Sequence, residues 1–237
     1  MSTQMDYAID VVFCIDATGG MVPFIDSFRA AVPSLYGSIL DRFDEWGKPC
    51  DEVRIKIIAF RDYKYDKEPM TESHFFNQNE VDELEGFLEH LTAEGGGDEP
   101  ENALEALALA IKSDWNTESL RRRHVIVMIT DAAPLELGER KECPGYPEAE
   151  MPENFEELLA WMGNSASGFE SGNYKRPDDI RFISRNSRLL LVTPDDQPWT
   201  VFTSDCLGAY MLPVERGNGC ADADMENINE MLLELLR

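Results

Sequence analysis

The sequence is poor in basic residues and histidines, and its charge is strongly one-sided. It contains 21 lysines and arginines against 46 aspartates and glutamates, so the formal net charge is −25 at pH 7. A field of this sign repels phosphate backbones and anionic membranes, so we expect neither a nucleic acid nor a membrane as a partner. Because surface carboxylates usually just face water, solubility accounts for most of this charge.

Cysteine patterns and long apolar runs are also missing. The five cysteines are scattered, odd in number and form no Cys-x-x-Cys pair, which argues against a disulfide framework or a zinc site. No stretch reaches the roughly 18 apolar residues of a membrane span, and residues 1–10 lack the features of a signal peptide. We therefore expect a reduced, cytoplasmic protein in which Cys14 is a core residue. His74, His90 and His124 are far apart, which favours structural or surface roles.

Motifs of common enzymes are absent as well. The sequence has no Gly-x-x-x-x-Gly-Lys phosphate loop and no Gly-x-Ser-x-Gly elbow, which argues against a nucleotide-driven motor and a nucleophile-elbow hydrolase. The stretch CIDATGG resembles the Asp-x-Asp loop of haloacid-dehalogenase-type phosphatases, but Thr18 replaces the general-acid carboxylate. We expect no enzymatic activity, and a Mg²⁺-dependent phosphate-ester hydrolase is the less favoured alternative.

Apolar runs and helical patterns alternate along the chain. Strands are predicted at AIDVVFCI, EVRIKIIAF, RHVIVMIT and RLLLVTP, and shorter strands at SHFFN, WTVFTSD and AYMLPVE. The segments between them have helical spacing, with a kink at Pro33, a possible N-cap at Asn79 and Pro100 in a first helical turn. This alternation predicts an α/β fold with a doubly wound, mostly parallel central sheet flanked by helices.

The organisation along the chain predicts one domain over residues 1–237. Residues 163–187 are polar and rich in Gly, Ser, Asn and Arg, and they are typical of an insertion within a domain. Residues 121–124, RRRH, form the one dense basic cluster, which we interpret as a solvated turn before a strand.

Acidic and hydroxyl residues follow the predicted buried strands. Asp16 ends the first strand and is followed by Thr18 and Gly20, Asp98 lies in a glycine turn, and Asp131 ends a later strand. Ligands bind at the carboxyl ends of strands in an open parallel sheet, and clustered carboxylates repel one another unless they are protonated or bridged by a cation. The pattern therefore predicts a Mg²⁺ or Mn²⁺ site formed by four oxygen ligands: Asp16, Thr18, Asp98 and Asp131.

Each of these residues also has a plain structural explanation. Asp16 could accept backbone N–H bonds in its turn, Thr18 could cap the following helix, Asp98 could be an ordinary N-cap, and Asp131 could belong to a purely structural turn. The convergence of the set is what favours a metal site. Near the same edge, Asp62 could support the site or form an ion pair with Arg61, and we favour the ion pair.

The same residues resemble the von Willebrand factor type A (vWA) family, over almost the whole chain. The family's metal-ion-dependent adhesion site (MIDAS) opens with Asp-x-Ser/Thr-x-Ser, which corresponds to Asp16, Thr18 and Gly20, and a later aspartate corresponds to Asp131. The turn GGGDEPENALEAL and the stretch AFRD resemble the hemicentin-like and bacterial intracellular branch, where Asp98 stands in place of an integrin-type threonine. The stretch GAYMLPVE resembles the family's last strand.

The resemblance implies a metal-dependent module that docks a partner protein, as a regulatory or assembly component whose partner is unknown. Two departures matter. Gly20 lacks the hydroxyl of the family pattern, and Asp98 brings a full charge that would weaken capture of a partner carboxylate. A metal-free interaction scaffold with a degenerate site is therefore the alternative.

Overall fold

The structure is a computed structural model that describes residues 7–97, 100–163, 176–182 and 184–237. Its strands are β1 (Tyr7–Asp16), β2 (Cys50–Phe60), β3 (Met70–Glu72), β4 (Phe76–Asn77), β5 (Arg121–Ile129), β6 (Ser187–Thr193) and β7 (Ala209–Pro213). Its helices are α1 (Val22–Ala31), α2 (Leu35–Glu45), α3 (Val81–His90), α4 (Ala103–Lys112), α5 (Phe155–Met162), α6 (Trp199–Asp205) and α7 (Met225–Leu235). The predicted insertion around 163–187 lies largely outside the described residues, and Asp98 lies outside them too.

These strands form one sheet in the order β3-β2-β1-β5-β6-β7, and β4 also pairs with β2. The central pairs are parallel, whereas β3 and β4 run antiparallel to β2. The predicted doubly wound, mostly parallel α/β sheet is therefore confirmed. In this register Asp16 is paired with Phe60 and Ile15 with Ile129, so β1, β2 and β5 end at the same level.

Strand β1 is buried on both faces, which explains its continuous apolar sequence. Ile9, Val11, Phe13 and Ile15 belong to one core cluster, whereas Val12 and Cys14 face the other. Cys14 is thus a core residue, as predicted. Because helices cover both faces of the sheet, Asp16, the last residue of β1, is fully buried.

Proline and capping residues set the helix boundaries, and three predictions about them were wrong. Pro33 lies in a short 3₁₀ turn, Val32–Ser34, that separates α1 from α2 rather than kinking one helix, since proline lacks the N–H that would continue the helix. Pro100 precedes α4, which begins at Ala103, so Pro100 is not in its first turn. The residue at the N-cap of α3 is Glu80, not Asn79.

The segment WTVFTSD is helix α6 and not the predicted strand. Trp199 and Phe202 are both fully buried and lie three residues apart, which places them on one side of a helix. The β-branched residues between them had suggested a strand, but here the buried aromatic pair determines the structure. Strand β3 was not predicted from the sequence, because three residues at the edge of a sheet are too few to give a recognisable pattern.

The basic cluster is also placed differently from the prediction. Arg121 is the first residue of β5 and pairs in register with Tyr7, and Arg123 pairs with Ile9, so the cluster belongs to the strand rather than to a turn. The guanidinium carbon of Arg121 lies 5.5 Å from the centre of the Tyr7 ring, so a cation–π interaction stabilises this cation. None of the helices in the described part of the chain has the length and apolar composition that a membrane span requires.

Candidate metal site at the carboxyl edge of the sheet

Asp16 lies at the centre of the candidate site and is fully buried. One carboxylate oxygen, Oδ1, accepts hydrogen bonds from the backbone N–H and the hydroxyl of Thr18, at 2.9 and 2.7 Å. The other oxygen, Oδ2, accepts a hydrogen bond from the Thr130 hydroxyl at 2.7 Å. Burial raises the pKa of Asp16 and the nearby Asp131 raises it further, while these hydrogen bonds oppose the rise. The site therefore holds a carboxylate whose charge is poorly solvated.

Thr18 connects the first loop to this carboxylate and does not cap the following helix. The structure gives its side chain no capping hydrogen bond, because its hydroxyl donates to Asp16 instead. A hydroxyl that donates its proton in this way still has lone pairs for another partner. The arrangement agrees with a role as an oxygen ligand and excludes the capping alternative.

Asp131 is 7% exposed and is held by a segment that the sequence reasoning missed. Its carboxylate accepts a hydrogen bond from the Gly219 N–H, and its carbonyl oxygen accepts one from the Gly217 N–H at 3.0 Å. Gly219 has a φ of +67°, and a Cβ there would lie 2.2 Å from the Gly20 carbonyl oxygen. Only glycine fits this contact, so the stretch Gly-Asn-Gly was the sequence signal for it.

Gly20 itself faces open space. A Cβ on Gly20 would have no neighbour within 4 Å, although its carbonyl oxygen lies against Gly219. Cys220, the next residue of that segment, is buried with a φ of +53°. Burial raises the pKa of the Cys220 thiol, and the charges of Asp131 and Asp16 raise it further, so this cysteine stays protonated beside the site.

The glycine turn of residues 95–97 packs directly on the first loop. The Gly19 N–H donates to the Gly95 carbonyl at 3.2 Å, and a Cβ on Gly96 would lie 2.9 Å from the Thr18 Cβ and 3.1 Å from Glu101 Oε1. Glu101 is 4% exposed, so a second buried carboxylate lies close to Thr18. The sequence pattern predicts Asp98 as the ligand from this turn and does not indicate Glu101, because spacing alone does not separate the two acids.

Arg61 and Asp62 do not form the predicted ion pair with each other. The Arg61 guanidinium donates to four backbone carbonyl oxygens and so ties the loops around the site together: Ala17, Glu68, Thr92 and Glu94. Asp62, fully buried, instead binds Arg140 at 2.9 Å, and hydrogen bonds to Asp62 raise the pKa of the Arg140 guanidinium. The partner of Asp62 therefore comes from the long loop after β5, which no local pattern indicates.

The oxygen atoms at this edge of the sheet can be compared with those that metal ions prefer as ligands. The described residues place hard oxygen donors from separate loops at the same edge of the sheet: the carboxylates of Asp16 and Asp131, the Thr18 hydroxyl and the Glu101 carboxylate. Hard oxygen donors are the ligands of Mg²⁺ and Mn²⁺, and a divalent cation would offset the repulsion of neighbouring buried charges. The types of donor at this edge are therefore those that such an ion prefers, whereas the three ligand atoms found within 4.8 Å of one another among the described residues belong to a different group.

The histidines lie outside this set. His124 is fully buried, its Nε2 lies 2.9 Å from the Asn116 carbonyl oxygen, and burial lowers its pKa to about 4. His90 is exposed on α3. His74 is also exposed and its ligand atoms lie within 4.8 Å of those of Glu80 and Glu83, but exposed groups of this kind are common without a metal, and we assign no site there.

Comparisons with known proteins agree with this architecture. A sequence profile described as von Willebrand factor A domain matches residues 10–142, which is more than half of the 237 residues. No curated protein matches the chain.

Solved structures similar to this chain share little of its sequence. Proximal thread matrix protein 1 from the mussel byssus is 8% identical, with a TM-score of 0.50, covering 98% of this chain and 46% of its own. The pilus adhesin SpaC from Lactobacillus rhamnosus GG in its open conformation is 17% identical, with a TM-score of 0.40, covering 55% of this chain and 15% of its own. The type V pili tip protein Mfa5 from Porphyromonas gingivalis is 17% identical, with a TM-score of 0.37, covering 54% and 20%. The chain thus spans less than half the length of these structures.

Proposed function

Because the chain belongs to the von Willebrand factor A family, we propose that it is a metal-dependent protein-binding module that docks a partner protein at the carboxyl edge of its sheet. The observation that carries this proposal is the buried Asp16 carboxylate, held by Thr18 and Thr130 and close to Asp131. We further propose that residues 1–237 form a single domain and that the module is a cytoplasmic regulatory or assembly component.

In this proposal Asp16, Thr18, Asp98 and Asp131 hold Mg²⁺ or Mn²⁺, and Glu101 adds negative charge around the ion. When bound, the ion supplies an electrophilic centre for a partner carboxylate. Each carboxylate of the chain that contacts the ion neutralises part of its charge and so weakens that capture. The open space at Gly20 leaves room for water where the family pattern has a hydroxyl.

A thermal titration of chelator-stripped protein with Mg²⁺ and Mn²⁺ tests the metal site. At a cation concentration 100 times the Kd, binding stabilises the folded chain by about 2.7 kcal/mol, which corresponds to a rise of about 5–10 °C in Tm for a chain of this size. Asp131→Asn is the matched variant, because its side-chain oxygen still accepts the Gly219 N–H while the charge is lost. We expect a small or absent shift for this variant. An equal shift in the variant, or none in the wild type, would overturn the metal site.

The partner is then sought by capture from a cell lysate with and without chelator, using wild type and Asp131→Asn. We expect proteins that bind the wild type only with Mg²⁺ or Mn²⁺ and that fail to bind the variant. Turnover of a generic phosphate ester with these cations, lost in Asp16→Asn, would contradict the non-enzymatic role.

A metal-free scaffold is the second candidate, and two observations favour it. The Asp131 carboxylate already accepts the Gly219 N–H, and Gly20 contributes no side-chain oxygen. In that case chelator has no effect on partner binding, while added salt weakens it because surface charge sets the affinity.

A further inference from the structure

A groove of about 510 Å³ lies at the same edge of the sheet as the candidate metal site. It is lined by Leu104 at the start of α4, residues 134–137 after β5, residues 154–156 at the start of α5, and residues 197–198 before α6. Pro134 pairs with Glu101 in an isolated bridge, so the groove adjoins the carboxylate next to Thr18. A partner seated on the metal edge would therefore reach this groove without a change in the fold.

The walls of the groove are fixed by contacts of their own. The Leu135 N–H donates to the Glu101 carbonyl oxygen at 2.8 Å, which attaches the loop after β5 to the start of α4. Phe155 packs edge-on against Phe202 with ring centres 5.3 Å apart, and Trp199 Nε1 donates to the Ala132 carbonyl oxygen at 3.1 Å. The groove is therefore preformed, as binding clefts usually are.

Most of the lining side chains are apolar. Leu104 and Leu135 are almost fully buried at the floor, and Leu137, Phe155 and Pro198 are half-buried along the sides. An apolar side chain placed here would lose contact with water on several faces, which favours binding in proportion to the area covered.

The charged residues of the groove are all acidic. Glu136 and Glu156 are exposed at its rim, and no lysine or arginine lines it. The three other grooves described each contain at least one cation: Arg29 in one, Lys56 and Lys112 in another, Arg61 and Lys67 in the third. An apolar floor with a purely acidic rim complements an apolar side chain next to a cation.

From these observations we infer that the groove binds a segment of a partner protein in which leucine-like side chains are flanked by arginine or lysine. The apolar side chains occupy the floor, and the flanking cations lie beside Glu136 and Glu156. This inference rests on the proposed role as a protein-binding module, and it names the chemistry of the partner segment. The net charge of −25 adds a long-range attraction for such a segment.

The test uses three short peptides and the full chain in chelator, so that the metal site plays no part. The probes are acetyl-Arg-Leu-Leu-Arg-amide, acetyl-Glu-Leu-Leu-Glu-amide and acetyl-Arg-Gly-Gly-Arg-amide, titrated at low ionic strength while backbone amide NMR shifts are recorded. We expect the first peptide to shift the amides of Leu135, Leu137 and Phe155, with little effect on Leu88 in the groove between α1 and α3. The glutamate peptide replaces the cations by like charges and the glycine peptide lacks the apolar side chains, so each should bind about tenfold more weakly.

Two double charge-reversal variants distinguish binding of the peptide at the groove from its attraction to the overall negative charge of the protein. Glu136→Lys with Glu156→Lys should weaken the arginine–leucine peptide by about tenfold, since two ion pairs become two repulsions. Glu85→Lys with Glu89→Lys changes the net charge by the same amount, but at the groove between α1 and α3. This control pair should change the affinity by less than about twofold. Equal weakening by both pairs, or shifts spread evenly over the surface, would overturn the inference. Because chelator is present throughout, failure here leaves the thermal titration with Mg²⁺ as an independent test of the metal site.

Discussion

Restoring the missing hydroxyl at Gly20 is the sharpest perturbation of the candidate site. Gly20→Ser recreates the Asp-x-Thr-x-Ser pattern of the vWA family, and the structure leaves room for it, since a Cβ at this position has no neighbour within 4 Å. Gly20 lies in the 3₁₀ turn Gly19–Met21 and does not need the left-handed backbone that would exclude a side chain. We expect the variant to fold and to bind Mg²⁺ more tightly than wild type.

The magnitude follows from two separate effects. Replacing a glycine that has compatible backbone angles stabilises a protein by about 0.4–1 kcal/mol through the unfolded chain. This effect does not depend on metal. Loss of even an outer partner of a metal ligand lowers affinity by about 10–100-fold, so gain of a direct oxygen ligand should tighten Mg²⁺ binding by at least about tenfold. Gly20→Ala is the control, because it has the first effect without the hydroxyl.

Isothermal titration calorimetry with Mg²⁺ and Mn²⁺ on the three chelator-stripped proteins, together with their melting curves, separates these effects. In chelator, Gly20→Ser and Gly20→Ala should melt about 1–4 °C above wild type. With Mg²⁺, the serine variant alone should bind more tightly. Equal Mg²⁺ affinity for the serine and alanine variants would refute the reasoning, because it would mean that this position does not face the ion.

Three further predictions concern backbone strain and buried titratable groups. In chemical denaturation, Gly96→Ala should lower the unfolding free energy by about 1–3 kcal/mol, because Gly96 has a positive φ and a Cβ there would contact Thr18. Gly86→Ala is the control, since Gly86 lies in α3 with open space around it, and it should raise the unfolding free energy by up to about 1 kcal/mol. Equal effects of the two substitutions would contradict the close contact. The lowered pKa of His124, about 4, means that the neutral form is favoured on folding, so wild type should lose up to about 3 kcal/mol as pH falls from 6.5 to 4. In urea unfolding at several pH values, His124→Gln should remove this loss of unfolding free energy between pH 6.5 and 4. The same pH dependence in wild type and variant would refute the prediction. Burial raises the pKa of Glu105, so wild type should lose stability relative to Glu105→Gln as pH rises above 4.5; a difference that is constant with pH would contradict this.

The parts of the fold that could be predicted from sequence are those where burial leaves a regular pattern. Strands β1 and β5 are covered on both faces, so their apolar runs are continuous and end at Asp16 and just before Asp131. The seven residues of α6 are too few for a helical period to be recognised, and their β-branched residues favour the wrong structure. Trp199 and Phe202 become decisive only when the core that buries them is known.

The candidate site was predictable where its residues are close in sequence. Asp16 and Thr18 are two residues apart, and their hydrogen bonds follow from the local turn. Gly219 lies 88 residues beyond Asp131, and its contact with Gly20 depends on how the chain returns after β7. Similarly, Asp62 pairs with Arg140 rather than with its neighbour Arg61, since nearness in sequence says little about which cation reaches a buried carboxylate.

The central claim is that carboxylates and a hydroxyl from separate loops share one divalent cation. The most direct measurement is a crystal structure grown with Mn²⁺ and recorded near the manganese absorption edge. We predict an anomalous peak in contact with Asp16, Thr18 and Asp131. Well-ordered loops with no anomalous peak between these side chains would contradict the account.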